Sequence, residues 1–279
     1  MKRISLVLLT TFVITLTPQA LLAGGGWTKK KGTAYYKVSH WWVNAAKQYT
    51  FDGTTAASPQ EGIFNTSIFA EYGITDKLTG LLNLPFSKSA NDQESISGLG
   101  DVDLAFKYQL NKPESKFAIA GTLQLGLPLG DDAGGALGTL QTGDGEFNQL
   151  IRLDVSRSFA IGKVNAYANI YAGYNNRTND FSDEFRAGGE LGASFLKNRI
   201  WFIARLDMVE SLQNGIESIA ASDGATVFAN NTEYFAYTYE IAAYITDKIG
   251  ISAAQGNVFS ASLIFASPSY SLGVFLDLK

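Results

Sequence analysis

The sequence predicts an all-β chain: one antiparallel up-and-down β-barrel of twelve strands that crosses a membrane. Three observations carry this. A period-two alternation recurs in blocks of about ten residues, with an apolar row opposite a charged one. The connectors between blocks alternate between short and long. An export signal opens the chain, and no later segment holds the 18 or so consecutive apolar residues that a spanning helix needs. The alternation is clearest in Asp101-Val102-Asp103-Leu104-Ala105-Phe106-Lys107-Tyr108, where Asp101, Asp103, Ala105 and Lys107 share one face and Val102, Leu104, Phe106 and Tyr108 the other.

The chain starts with a basic pair, Lys2-Arg3, then an apolar run from Ile4 to Leu16 broken only by Ser and Thr, then Pro18 and the small residue Ala23. This is the layout of a secretory signal peptide, expected over residues 1–23 with cleavage after Ala23. Residues 24–31 are read as a short periplasmic segment and residues 32–279 as the barrel. Without Lys2 and Arg3, 20 basic side chains face 26 acidic ones, a formal charge of −6. Aromatic residues make up 13% of the chain, yet its mean hydropathy is only +0.02. Alternating lipid-facing and interior rows cancel in such an average.

Twelve strands follow in order, over residues 32–43, 62–73, 78–87, 100–110, 116–127, 146–159, 163–175, 184–196, 199–210, 232–246, 248–258 and 270–279. Short connectors (74–77, 111–115, 160–162, 197–199, 246–248) alternate with longer polar ones (44–61, 88–99, 128–145, 176–183, 211–231). The stretch 259–269 is apolar and the least defined. Tyr72-Gly73-Ile74-Thr75-Asp76-Lys77-Leu78 is echoed by Tyr244-Ile245-Thr246-Asp247-Lys248-Ile249, the same tight turn twice, with Thr and Asp side chains able to bond nearby amides.

The faces agree from strand to strand. Asn65, Ser67 and Glu71 oppose Phe64, Thr66, Ile68 and Tyr72; Asn165, Tyr167, Asn169 and Tyr171 oppose Val164, Ala166, Ala168 and Ile170. A charge on the lipid face costs about 2–4 kcal/mol at mid-bilayer, so the charged row belongs inside. The expected interior set is Lys37, Glu71, Asp101, Asp103, Lys107, Arg152, Asp154, Arg186, Glu190, Arg205, Asp207, Glu240 and Asp277. Such charges either fill a narrow barrel with ion pairs or select what passes through it. Tyr36, Trp42, Tyr72, Tyr108, Trp201 and Tyr270, near strand ends, fit interfacial girdles.

Other chemistries find little to work with. Cys is absent, which removes thiolate nucleophiles and disulfides. The acidic balance offers no basic patch for nucleic acid. His40 is the single histidine, and on a strand its neighbour Ser39 points the opposite way, so the pair does not form the base and nucleophile of a lipid hydrolase. An all-carboxylate calcium site among Asp131, Asp132 and Asp144 competes with plain solvated loop acids. Gly98-Leu99-Gly100-Asp101 precedes a strand rather than a helix, so it is not a phosphate loop. No catalytic residue, cofactor or metal is expected.

Gly98-Leu99-Gly100-Asp101-Val102-Asp103-Leu104-Ala105-Phe106-Lys107-Tyr108, together with Glu71-Tyr72-Gly73-Ile74-Thr75-Asp76-Lys77-Leu78 and the closing Gly273-Val274-Phe275-Leu276-Asp277-Leu278-Lys279, resembles the outer-membrane barrels of the MetA-pathway phenol-degradation family. The resemblance implies a non-catalytic barrel that passes small hydrophobic or aromatic molecules. The chain departs from the usual barrel ending by closing on Lys279 rather than an aromatic residue. The expectation is therefore an exported channel of a Gram-negative outer membrane, with outer-membrane lipid, a small solute and the barrel-assembly machinery as its partners. A non-conducting structural barrel and, behind it, a lipid hydrolase are the alternatives.

Overall fold

The computed structural model describes residues 25–44, 46–58, 62–136, 138, 140–216 and 228–279, so the expected signal peptide lies outside the described residues. Fifteen strands follow one another: β1 Ala34–Asn44, β2 Lys47–Tyr49, β3 Thr55–Ala57, β4 Gly62–Thr75, β5 Leu78–Ala90, β6 Ser95–Leu99, β7 Val102–Gln109, β8 Ala118–Leu127, β9 Asn148–Ile161, β10 Val164–Asn176, β11 Glu184–Phe195, β12 Ile200–Ser211, β13 Glu233–Tyr244, β14 Ile249–Ser262 and β15 Ser269–Leu278. β1 pairs with both β4 and β15, and every further neighbour is antiparallel, so the sheet closes. β6 and β7 pair with the two halves of β5 and form one stave broken at Gly100-Asp101, which makes twelve staves.

The differences from the sequence reading are local. The stave expected at 100–110 begins instead at Ser95, and the connector expected over 88–99 shrinks to 91–94. β14 runs to Ser262, leaving 263–268 as the last loop. A small hairpin, β2–β3, stands in the first loop. The echoed turns share their chemistry: Lys77 N–H donates to Thr75 Oγ1 and Lys248 N–H to Thr246 Oγ1, both at 3.2 Å. Closure in one sheet pairs the wall all the way round, with β6 at the loop end bonded to β5 alone.

The outward row is apolar and bare: Ile151 is 67% exposed, Ile170 64% and Leu191 60%. Apolar surface wrapping the whole wall is far beyond the patches a water-soluble monomer shows, whereas it suits hydrocarbon. Tyr36, Tyr72, Tyr108 and Tyr270 stand on this outer face, and Trp42 tilts against Tyr270. Trp201 is a correction. It is 2% exposed and faces inward, because it shares the row of Arg205 and Asp207.

The chain before β1 packs against the wall from within: residues 25–33 enter at the short-turn end. Gly26 N–H donates to Ser156 Oγ at 2.7 Å, Lys29 N–H to Thr79 Oγ1 at 2.7 Å, and Gly32 N–H to the Gly73 carbonyl at 2.8 Å. Trp27 meets Tyr167 edge-on at 5.8 Å. It packs on a buried cluster of Tyr35, Tyr167, Trp201, Ile203, Ala242 and Phe275. This apolar cluster is thus a plug across one end, with strap and wall both contributing; a smaller one, Val43, Ile63 and Phe265, lies at the long-loop end.

Candidate functional site

Between these clusters the interior is polar. Its centre is a chain of charge running round the wall. Tyr167 Oη donates to Glu190 Oε1 at 2.5 Å, and Arg205 Nε donates to the other Glu190 oxygen. Arg205 Nη1 donates to Glu240 Oε2 at 2.7 Å, and Lys37 Nζ to Glu240 Oε1 at 2.7 Å. β13 and β1 are separated by β14 and β15, so Lys37 reaches Glu240 across the interior. Gly273 lets it pass: a Cβ there would stand 2.8 Å from Lys37 Cε.

Above this chain, towards the long loops, Arg152 grips Asp154 through Nε at 2.9 Å and Nη2 at 2.6 Å, and its guanidinium lies 3.7 Å from the Tyr171 ring centre. Tyr171 Oη donates to Asp207 Oδ1 at 2.5 Å. The ring lies flat over Gly188, where a Cβ would come within 2.7 Å of it. Arg186 binds Glu184 Oε2 through Nε at 2.8 Å and Nη2 at 2.5 Å. On the facing wall Asp103 accepts from Asn83 Nδ2 at 3.2 Å and Gln124 Nε2 at 2.9 Å.

At the short-turn end Asp277 takes Lys29 Nζ at 3.1 Å and Tyr244 Oη at 2.8 Å, while Glu71 and Lys107 are buried on either side of β5. Asp101, at the break in its stave, accepts the backbone N–H of Gly130 at 2.9 Å and of Asp144 at 2.7 Å. It anchors the loop 128–147.

The loop end holds a cage that the sequence reading missed. Arg177, with a side chain 5% exposed, donates to Glu146 Oε1 at 2.6 Å, Glu184 Oε1 at 2.8 Å and Asp144 Oδ2 at 3.3 Å. Beside it lies a hollow of about 100 Å³ lined by these residues, Arg186 and Tyr234. Burial, then the neighbouring Glu146 and Asp101 carboxylates, push the Asp144 carboxyl up to about 8. Burial also raises Glu146, against the pull of Arg177. Arg177 lies in a loop, so no periodicity pointed to it; Glu184 shares the row of Arg186 and was within reach of the same alternation.

The rest of the sequence candidates fall apart as constellations. His40 Nδ1 lies 2.9 Å from Thr66 Oγ1 on the outer wall, stacked on Trp42, while Ser39 Oγ lies 3.1 Å from Ser67 Oγ inside. Among the described residues no group of three His, Cys, Asp or Glu is placed to hold a metal ion.

No family model and no curated protein matches the chain. The resemblance drawn from residues 71–78, 98–108 and 273–279 is therefore not a family assignment. Among solved structures the chain is similar to the COG4313 outer membrane channel from Pseudomonas putida F1, with a TM-score of 0.61 and 17% identity over 93% of this chain and 100% of that one. It is also similar to the KdgM porin, with a TM-score of 0.53 and 9% identity over 88% and 99%. The same porin in complex with disordered oligogalacturonate gives 0.52 and 9% over the same shares. At such identities the likeness is one of fold. By fold, the protein is a closed antiparallel β-barrel of the outer-membrane type, with twelve staves.

Proposed function

We propose that the chain is a channel of the bacterial outer membrane for passive passage of small solutes, exported by a signal peptide that is removed. Short turns and both chain ends would face the periplasm, and long loops the outside. Outer-membrane lipid would cover the apolar wall, and the barrel-assembly machinery would insert it. The observation that carries this reading is the interior between the two ends. Arg152, Arg186 and Arg205 keep side chains about 30% exposed there (29%, 32% and 29%), although a structural filler would bury them. The described state is narrowed at the short-turn end by the Trp27 strap, so passage requires that strap to yield.

The aromatic or hydrophobic solutes implied by the sequence resemblance find support only in the ring cluster around Trp27. The lining above it, with Ser39, Asn65, Ser67 and Asn83 opposite the arginines, supports polar ones. The test is single-channel current and liposome swelling with the refolded chain. Discrete steps and solute flux are expected. No flux at any voltage, before or after deletion of residues 24–28, would leave a non-conducting structural barrel.

A further inference from the structure

We infer that Arg152, Arg186 and Arg205 form a carboxylate-binding track along one wall, and that the solute is a small hydroxylated acid. This deepens the channel reading and rests on it. Placement comes first. Arg152 pairs in register with Gly173, and Gly173 with Arg186, so the two arginines share a row with only a glycine between them. Arg205 pairs with Glu190, four residues further along β11 than Arg186. At about 3.3 Å per residue it stands some 13 Å nearer the short-turn end. The track thus has two arginines side by side and a third displaced towards the short-turn end, along the path of a solute.

Orientation comes next. Each guanidinium stands between its own carboxylate and the interior. Asp154, Glu184 and Glu240 side chains are 1%, 6% and 8% exposed, against about 30% for the arginines that cover them. Arg152 and Arg186 spend Nε and Nη2 on these acids, and Arg205 spends Nε and Nη1. Among the described residues, Nη1 of Arg152, Nη1 of Arg186 and Nη2 of Arg205 have no acceptor. The Nη1/Nη2 end of the Arg152 and Arg186 forks is therefore free, which is the geometry that takes a carboxylate by two parallel bonds, while Arg205 adds single donors from Nη2. Tyr171 beneath Arg152 fixes the plane of that fork in advance.

The class of acid follows from the surroundings. Because the arginines are already paired, the wall carries little surplus charge, so it does not concentrate anions in general. It offers donors. With little surplus charge to attract it, a dianion such as phosphate is opposed by a desolvation cost that grows with the square of its charge, whereas a single carboxylate loses less. Opposite, β1, β4 and β5 present Asn65, the mutually bonded Ser39 and Ser67, and Asn83, whose Nδ2 holds Asp103; the donors and acceptors these bonds leave over suit the hydroxyls of the same molecule.

The experiment measures block of the open-channel potassium chloride current by gluconate, with sorbitol as the neutral match and inorganic phosphate as the dianion. Gluconate should interrupt the current in a concentration-dependent way, phosphate more weakly, and sorbitol not at all. Arg186→Gln should weaken the gluconate effect roughly tenfold, the loss expected for one charge-assisted pair. Arg152→Gln leaves Asp154 buried and unpaired, so R152Q/D154N supplies the version that keeps its neutrality and fold. Equal behaviour of gluconate and sorbitol on a conducting barrel overturns the track and leaves the channel standing. Stronger block by phosphate overturns the assignment to carboxylates. No current at all removes the channel reading, and the track with it.

Discussion

At the short-turn end of the barrel, Trp27, Tyr35, Tyr167, Trp201 and Phe275 pack as a ring cluster; at the loop end Arg177 is held by Asp144, Glu146 and Glu184. The first hangs on the inward rows of the strands, the second mostly on loops that meet those rows at Glu184. β12 alone runs from Trp201 and Ile203 through Arg205 and Asp207. A strand's alternation decides which face a residue takes, but its height along the barrel decides what it must do there. Low on the wall it meets a strap and can be dry. In the middle it meets open space, and at the top it meets folded loops. The apolar end is sealed by contact area, and the polar end by directed bonds, so the two should fail differently when broken.

The largest expected effect comes from the apolar end. Trp27→Ala removes the ring that closes the cluster, and deletion of residues 24–28 also removes the Gly26 bond to Ser156. The barrel wall loses no ladder pair, so heat-modifiable migration in detergent should persist. Single-channel conductance should rise several-fold, more for the deletion than for the point variant. Unchanged conductance in both would mean that the strap does not limit the path.

Next comes the polar end. Arg177→Met takes the cation from among three carboxylates. Breaking a buried pair by removing one partner costs about 3–5 kcal/mol, and here the cost should fall on the loops rather than on the wall. Arg177→Lys should recover only part, since an ammonium cannot reproduce three directed contacts from one plane. Limited proteolysis within 128–147 and 176–183 is the readout. Faster cutting is expected with unchanged thermal unfolding of the barrel. Resistance equal to that of the unaltered protein would show that the cage is not what holds the loops.

The contrast also explains what could be read from sequence. Alternation made the barrel and its closure legible, because a one-residue slip would expose every charge to hydrocarbon. The thirteen charged positions followed from the same rule, yet the rule was not pressed far enough to turn Trp201 inward alongside Arg205. Partners were not legible. Lys37 meets Glu240 203 residues away, and Arg177 gathers three acids from two separate segments. Such meetings depend on barrel curvature and loop folding, which no local pattern carries. The strap was missed for a related reason: Gly25-Gly26-Trp27 has no alternation, and its two glycines make sense only against Ser156 and Ala118, where a Cβ at either would collide with the wall.

The smallest effect expected is a pH dependence confined to the loop end. Asp144 holds its proton up to about pH 8 in the folded cage, far above an ordinary aspartate near 3.8. The folded cage therefore binds a proton that the opened loop releases across most of that range, and its stability falls as pH rises from the ordinary value towards 8. Above that, Asp144 joins Asp101, Glu146 and Glu184 as a further negative charge, with Arg177 their shared cation. Proteolysis of the loop 128–147 should accordingly be slower at pH 6 than at pH 9, after correction for the protease's own pH profile. Asp144→Asn cannot ionise and should remove most of this difference while leaving the Trp27 plug and its conductance untouched. A pH dependence that survives in D144N would assign the proton elsewhere. A change in conductance would mean that the two ends are coupled rather than separate.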